Sequence, residues 1–158
     1  MQKSPITTEG IKKVEEELNH LIKVEREELK TTIAEARELG DLKENAEYHA
    51  AKEKQGIVEG RIAQLQHVVA NSQVIDVANL QSETVVFGAT VHLINTETDE
   101  EVTYKIVGDT ETDSKQGKIS YNSPLGKALI GKEEGDTVVV KAPKGDIEYE
   151  IDSFEFIP

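Results

Sequence analysis

Two carboxylates at a short, fixed spacing, Asp41 and Glu44, are the side chains of this sequence most suited to chemistry. Proteins often hold Mg²⁺ through only one or two carboxylates, while phosphate oxygens and water complete the octahedron. The same spacing also matches a capping box, in which Asp41 would be the N-cap of a helix and Glu44 would reach back to it. Spacing alone favours the cap, and a metal site here would work only if a partner supplied the remaining ligands.

Basic residues flank the acid pair at Arg37, Lys43 and Lys52. They could contact a phosphate backbone close to a metal ion. They could also be ordinary surface charge on a helix, for example an Arg37–Asp41 pair four residues apart. The spacing alone favours surface charge.

Other motifs for chemistry are weak or missing. His49 and Glu53 stand four residues apart and could share a metal, although packing of His49 between two helices is the favoured interpretation. The sequence contains no HExxH, P-loop, GxGxxG or GxSxG motif. Ser123 precedes Pro124 at a predicted helix start, which favours a cap over a nucleophile. The absence of cysteine excludes a thiol nucleophile, a disulfide and Cys-ligated zinc.

Two long segments with helical periodicity have to position the acid pair. The first is predicted over residues 8–39, with Thr7 or Thr8 as its N-cap and Gly40 ending it. The second is predicted over residues 42–72, and the break between them is as short as a helix–helix connection. The sequence therefore predicts a long antiparallel helical hairpin with the acids at its tip, near residues 40–47. Small residues near the tip are predicted to line the seam between the helices: Ala46, Ala50, Ala51, Gly56 and Gly60.

The composition changes near residue 73, because six of the seven aromatic residues come after it. Period-two alternation then predicts short strands. Ser123 and Pro124 begin a predicted short helix that Gly131 ends. A β-hairpin is predicted from strands 137–142 and 146–151. These patterns are typical of a small, mostly antiparallel sheet domain with one short helix.

The predicted fold class is therefore α+β, with an N-terminal antiparallel coiled-coil hairpin and a C-terminal antiparallel sheet domain. The predicted boundaries are residues 1–75 for the hairpin, 76–83 for a linker and 84–158 for the sheet domain. A two-helix rod buries little by itself, so we expect the sheet domain to steady its base.

The net charge of −13 argues against an autonomous nucleic-acid binder, which needs clustered Lys and Arg. Residues 1–75 carry a net charge of −3 and residues 76–158 a net charge of −10. Contact with a polyanion is therefore expected in the first part, and contact with a basic protein surface in the second. No stretch approaches the roughly 18 apolar residues of a membrane span, and the start lacks an apolar signal core, so we expect a cytoplasmic protein.

Two stretches of the sequence resemble a known family. Residues 35–52 read EARELGDLKENAEYHAAK, which closely resembles the signature of the bacterial GreA/GreB transcript cleavage factors. Residues 87–91, FGATV, and 122–132, NSPLGKALIGK, agree with the same family in the same order. The resemblance covers essentially the whole chain, and the strong acidity is more like the GreA branch than the GreB branch.

The resemblance implies a cofactor of RNA polymerase rather than an enzyme by itself. In this family the hairpin enters the secondary channel of the polymerase, and the tip acids stimulate hydrolysis of the nascent RNA in a backtracked complex. Asp41 and Glu44 match the family's two acids, which help to hold a second Mg²⁺ only within the polymerase active centre. Arg37 and Lys52 match basic positions near the RNA 3′ end.

The C-terminal part is implied to be an FKBP-like domain that docks on the polymerase. Asn122, Ser123 and Pro124 match its docking loop. A monomer without strong autonomous DNA binding or membrane contact is expected.

Three alternatives remain at this point. A family member that occupies the channel and inhibits the polymerase is the first, and the tip acids argue against it. The second is an FKBP-like prolyl isomerase, which needs an aromatic-lined pocket, and the third is a coiled-coil chaperone or adaptor.

Overall fold

A helical hairpin and a five-stranded sheet are the main parts of the computed structural model, which describes residues 3–40 and 45–158. They lie in two compact units: Lys12–Asn71 forms one, and Met1–Ile11 joins Ser72–Pro158 in the other. The predicted α+β fold class is confirmed. None of the helices in these described ranges is long and apolar enough to cross a membrane.

The first helical segment of the hairpin changes its winding part-way along. It consists of α1 (Thr8–His20), a π-helical turn (Leu21–Glu25) and α2 (Arg26–Glu38). A π turn holds one residue more than an α turn, and the apolar stripe shifts by one residue where it occurs. Continued three-and-four spacing after Leu21 would reach three exposed polar residues, Glu28, Thr32 and Glu35. The buried residues each lie one position later: Leu29, Ile33 and Ala36.

The second helix of the hairpin is α3 (Ala46–Ala70), about 37 Å long at the usual rise per residue. Its buried residues are Ala51, Val58, Ile62 and Leu65. Val58, Ile62 and Leu65 pack with Leu21 and Leu29 of the first segment in one apolar cluster. Of the small residues predicted to line the seam, only Ala51 is buried, whereas Ala46 and Ala50 are exposed. The predicted role of the two helical glycines is also wrong. Gly56 and Gly60 are exposed, and a Cβ atom at either would meet nothing within 4 Å.

Two bidentate ion pairs connect the two helices of the hairpin. Arg26 donates hydrogen bonds from Nε and Nη2 to the Glu59 carboxylate, both at 2.8 Å. Arg61 donates from Nε and Nη2 to the Glu17 carboxylate, both at 2.9 Å. Parallel bonds of this kind fix orientation as well as proximity, so they help to set the register of the hairpin.

The second unit contains a sheet of five strands: β3 (Thr90–Asn95), β4 (Glu101–Val107), β5 (Lys118–Ser120), β6 (Thr137–Ala142) and β7 (Gly145–Glu155). They lie in the order β5-β4-β3-β7-β6. All neighbouring pairs are antiparallel except β4 and β5, which are parallel. The predicted β-hairpin is confirmed as β6 and β7, with β7 extending further along the chain to pair with β3 as well.

One short helix, α4 (Pro124–Leu129), packs on this sheet and closes its core. Leu129 is fully buried, together with Ile106 and Ile151 from the strands. Ser123 is its N-cap, as predicted, because its Oγ accepts a hydrogen bond from Gly126 N at 3.1 Å. Gly131 follows the helix with φ +90, as a helix-ending glycine should.

A small parallel pair of strands in the same unit escaped the sequence prediction. β1 (Ser4–Thr7) pairs in parallel with β2 (Ser72–Ile75), although the two are separated by the whole hairpin. Thr7 Oγ1 accepts a hydrogen bond from Gly10 N at 3.0 Å, which confirms Thr7 as the N-cap of α1. Glu111 accepts from Thr7 N at 3.1 Å and also from the Thr7 hydroxyl.

Candidate functional site

The first helical segment ends beside the predicted acids. Leu39 N donates to Ala36 O at 3.2 Å, and Gly40 follows with φ +120. This φ favours glycine, so the predicted helix stop at Gly40 is confirmed. Asp41 and Glu44, like Lys43, lie outside the described residues. The roles of Asp41 and Glu44 as catalytic acids and metal ligands stay predictions, and so does the phosphate contact of Lys43.

Asn45 joins the ends of both helices through its side chain. Its Oδ1 accepts a hydrogen bond from Tyr48 N at 3.0 Å, which makes it the N-cap of α3. Its Nδ2 donates to Ala36 O at 2.6 Å, near the end of α2. Because Asn45 has an extended backbone, α3 begins at Ala46, and the predicted helix start at residue 42 is wrong.

The two basic residues predicted to contact RNA both lie near these helix ends and are exposed. The Arg37 guanidinium lies 5.8 Å from the centroid of the Tyr48 ring, within the range of a cation–π contact. Lys52 Nζ donates to Gln55 Oε1 at 3.1 Å. One arginine and one lysine are therefore exposed near the helix ends that the segment with Asp41 and Glu44 connects.

His49 does not pack between the helices, so that prediction is wrong. It is exposed, and its ring meets Tyr48 edge to face with centroids 5.6 Å apart. Within residues 3–40 and 45–158, no three His, Cys, Asp or Glu side chains come together in a way that could hold a metal ion.

The predicted docking residues lie just before α4, in the unit that holds the sheet. Ser123 Oγ donates to Ser120 O at 2.6 Å besides accepting from Gly126 N, so the fold itself uses this hydroxyl twice. Pro124 is exposed at the first helical position, where its missing N–H costs nothing. Asn122 is exposed, and its Nδ2 donates to Asp109 Oδ2 at 3.1 Å.

A surface cavity of about 890 Å³ opens beside Ser123. Tyr104 is the one aromatic residue among the described residues that line it, and the other lining side chains include Lys115 and Lys118. Small-molecule pockets are mostly apolar and aromatic. This cavity therefore gives no support to a prolyl isomerase.

Comparison with known proteins assigns the chain to a family. A profile described as "Transcription elongation factor, N-terminal" matches residues 4–74, and one described as "Transcription elongation factor, GreA/GreB, C-term" matches residues 80–156. The chain belongs to the GreA/GreB family. The resemblance seen in residues 35–52 and 122–132 is thereby confirmed over both parts of the chain.

Individual relatives place the chain beside the GreA branch of this family. A "Transcription elongation factor GreA" from Pseudomonas aeruginosa is 59% identical over 152 residues, covering 96% of each chain. One from Anaeromyxobacter sp. is 55% identical over 157 residues, covering 99% of this chain and 95% of its own. One from Thioalkalivibrio sulfidiphilus is 56% identical over 158 residues, covering 99% of this chain and 100% of its own.

Sequence reasoning missed two residues that organise the GreA/GreB signature regions. Asn45 follows the predicted acids directly, and its preference for N-cap positions was a usable signal. Asp109 lies far from Asn122 along the chain, in a 3₁₀ turn, Asp109–Glu111, after β4. No local pattern connects these two residues, because the parallel pairing of β4 and β5 brings them together.

Proposed function

We propose that this GreA/GreB family member is a transcription elongation factor that binds RNA polymerase and rescues backtracked complexes. Its hairpin enters the secondary channel, and the tip stimulates hydrolysis of the nascent RNA by the polymerase. The chain itself is a cofactor of that reaction rather than an independent enzyme, and it acts as a monomer in the cytoplasm.

The observation that carries this proposal is the position of Asp41 and Glu44 in the chain. They lie in the short segment between Gly40 and Asn45. The Asn45 side chain forms hydrogen bonds with the helices on both sides of that segment. A pair of acids at the end of a two-helix rod can be delivered into a channel that is too narrow for a globular domain. The exposed Arg37 and Lys52 lie on the same helices and favour contact with RNA phosphates.

The donor set of the tip fits Mg²⁺. Two carboxylates supply hard oxygen ligands, and the phosphate oxygens of RNA and water can supply the others. Bound in the polymerase centre beside a second ion, such a metal would supply positive charge to activate a water or to stabilise the leaving oxygen. Asp41 and Glu44 would hold the metal, while Arg37 and Lys52 would orient the RNA.

Release of RNA fragments from purified backtracked elongation complexes tests the proposal. Addition of the protein with Mg²⁺ is expected to release short fragments that carry the RNA 3′ end. Asp41→Asn and Glu44→Gln are expected to abolish release while still competing with the wild-type protein for the channel. Glu16→Gln, which removes an exposed acid elsewhere on the hairpin, is the matched control and should cleave normally.

The other outcomes distinguish the alternatives. If the wild-type protein binds the polymerase and releases no fragments, it is an inhibitor and the cleavage proposal is wrong. If the tip variants lose binding rather than cleavage, the acids serve the structure of the tip and not the chemistry.

A further inference from the structure

A hydrogen-bonded cluster orients the exposed Asn122 in the loop before α4. The Asp109 carboxylate accepts a hydrogen bond from Ser120 Oγ and one from Asn122 Nδ2, the latter at 3.1 Å. Ser120 Oγ in turn accepts from Asn122 N at 3.0 Å. Both the backbone and the side chain of Asn122 are therefore held by this cluster.

The carboxylate decides which way the amide of Asn122 points. An ionised carboxylate can only accept hydrogen bonds, so the amide must present its Nδ2 to Asp109 and not its Oδ1. Among the described residues, Asn122 Oδ1 has no hydrogen-bond partner. The exposed loop thus presents a carbonyl oxygen two residues before the exposed Pro124.

Ser123 does not offer an equivalent group. Its hydroxyl donates to Ser120 O and accepts from Gly126 N, and both bonds belong to the cap of α4. Of these two polar side chains, Asn122 is the one whose acceptor oxygen makes no hydrogen bond among the described residues.

We propose that Asp109 is a positioning residue for docking: it fixes Asn122 so that Oδ1 accepts a hydrogen bond from a donor on the polymerase. The inference rests on the proposed function, because it takes the polymerase as the partner of this loop. The complementary group on the partner is an N–H donor, such as a Lys or Arg side chain, and the strongly acidic second part of the chain suits a basic partner surface.

Asp109→Asn tests this assignment because the new amide can donate as well as accept. Asn122 can then turn its Oδ1 inward, and the outward acceptor is lost. We expect the affinity of the full-length protein for purified bacterial core RNA polymerase to fall about threefold to tenfold, the effect of one hydrogen bond. The unfolding temperature should stay close to that of the wild type, since Asp109 is exposed.

The reciprocal exchange Asp109→Asn with Asn122→Asp should restore binding to within about twofold of the wild type. In this double variant the amide at 109 donates to one oxygen of the carboxylate at 122, and the other oxygen faces outward as an acceptor. Asn122→Ala should weaken binding as much as Asp109→Asn does. Adding Asp109→Asn to Asn122→Ala should weaken it no further.

Three results would overturn the inference: wild-type affinity in Asp109→Asn, additive losses in the Asp109→Asn/Asn122→Ala double variant, or no recovery in the reciprocal exchange. If the wild-type protein itself fails to bind the polymerase, the proposed function falls and the inference falls with it. If the wild type binds and cleaves but the variants match it, only the inference falls.

Discussion

At the scale of single residues, Asn45 supports the tip with two hydrogen bonds of different kinds. One caps α3, and the other reaches the carbonyl of Ala36 across the break. Asparagine suits this position because its amide accepts and donates at the same time. The segment with Asp41 and Glu44 therefore starts and ends at helix termini that one side chain holds together.

Substitution of Asn45 separates these two bonds. Asn45→Ser keeps an acceptor for the cap but is too short to donate to Ala36 O, so we expect a loss of about 0.5–1.5 kcal/mol in unfolding free energy. Asn45→Ala removes both bonds and should cost about 1 kcal/mol more. Denaturant unfolding, monitored by circular dichroism, measures the unfolding free energies of the wild type and the two variants. A serine variant as stable as the wild type would show that the bond to Ala36 contributes nothing.

At the scale of elements, the π turn keeps the apolar residues of the first helical segment on its buried side. It adds one residue at Leu21–Glu25, which brings Leu29 and Ile33 to the buried side. Without that turn, continued α-helix would place polar side chains there. The sequence shows this as a one-residue break in the heptad rhythm, which is a usable signal for such a turn.

Deletion of one residue tests this explanation. Removal of the exposed Lys23 should convert the π turn into an α turn and leave the buried side in phase, so that helicity and unfolding temperature are kept. Removal of the exposed Lys30 from α2 is the control, because it rotates Ile33 and Ala36 away from α3. Exposure of the buried Ile33 side chain alone should cost about 1.5–3 kcal/mol. Equal damage from both deletions would contradict the explanation.

The Arg26–Glu59 pair predicts a pH dependence for the hairpin. Hydrogen bonds from Arg26, helped by its positive charge, lower the pKa of Glu59 below its usual value. A lowered carboxylate pKa stabilises the fold above the unfolded-state pKa of about 4.3, and this contribution disappears as the pH falls through the folded-state value.

Glu59→Gln should therefore lower the unfolding temperature modestly at neutral pH and have no effect once the carboxylate is protonated. Because both groups are at the surface, the difference should also shrink at high salt. Thermal unfolding of the wild type and Glu59→Gln, from neutral pH down to the pH at which Glu59 is protonated, measures this difference. Glu16→Gln is the control. A difference that persists at low pH would mean that Glu59 acts through packing.

At the scale of the whole molecule, the sequence predicted what local patterns encode. The hairpin, the strands and the Ser123 cap follow from periodicity and from residue preferences that act over a few positions. The pairing of β1 with β2 and the contact of Asp109 with Asn122 do not, because they join segments that are distant in sequence. The functional role of Asp41 and Glu44 was predicted from the resemblance to a family, since spacing alone favoured a helix cap, and it stays a prediction.

Substitution of Gly10 tests another contact between segments that are distant in sequence, that of Glu111 with Thr7. It is buried in α1, and a Cβ atom there would overlap Glu111 Oε1, part of the carboxylate that accepts from Thr7. Alanine is the better helix former, yet Gly10→Ala should destabilise the protein by about 1–3 kcal/mol, because it displaces Glu111 from its hydrogen bonds.

Gly56→Ala and Gly60→Ala are the matched controls in α3, where a Cβ atom meets nothing within 4 Å. Each should stabilise the hairpin by about 0.5–1 kcal/mol, as expected for alanine in an exposed helix. Chemical denaturation of the three variants measures the contrast. A stabilising Gly10→Ala would show that the Glu111 contact is dispensable.

The parallel pairing of β1 with β2 has a consequence for protein engineering. Because these strands flank the hairpin in sequence and lie side by side, residues 12–71 are topologically an insertion between two neighbouring strands. A chimera that exchanges hairpins between relatives should therefore be cut twice, after Ile11 and before Ser72. A single junction just before Ser72 would instead give β1 and β2 different parents, and the new pair would have to match across species.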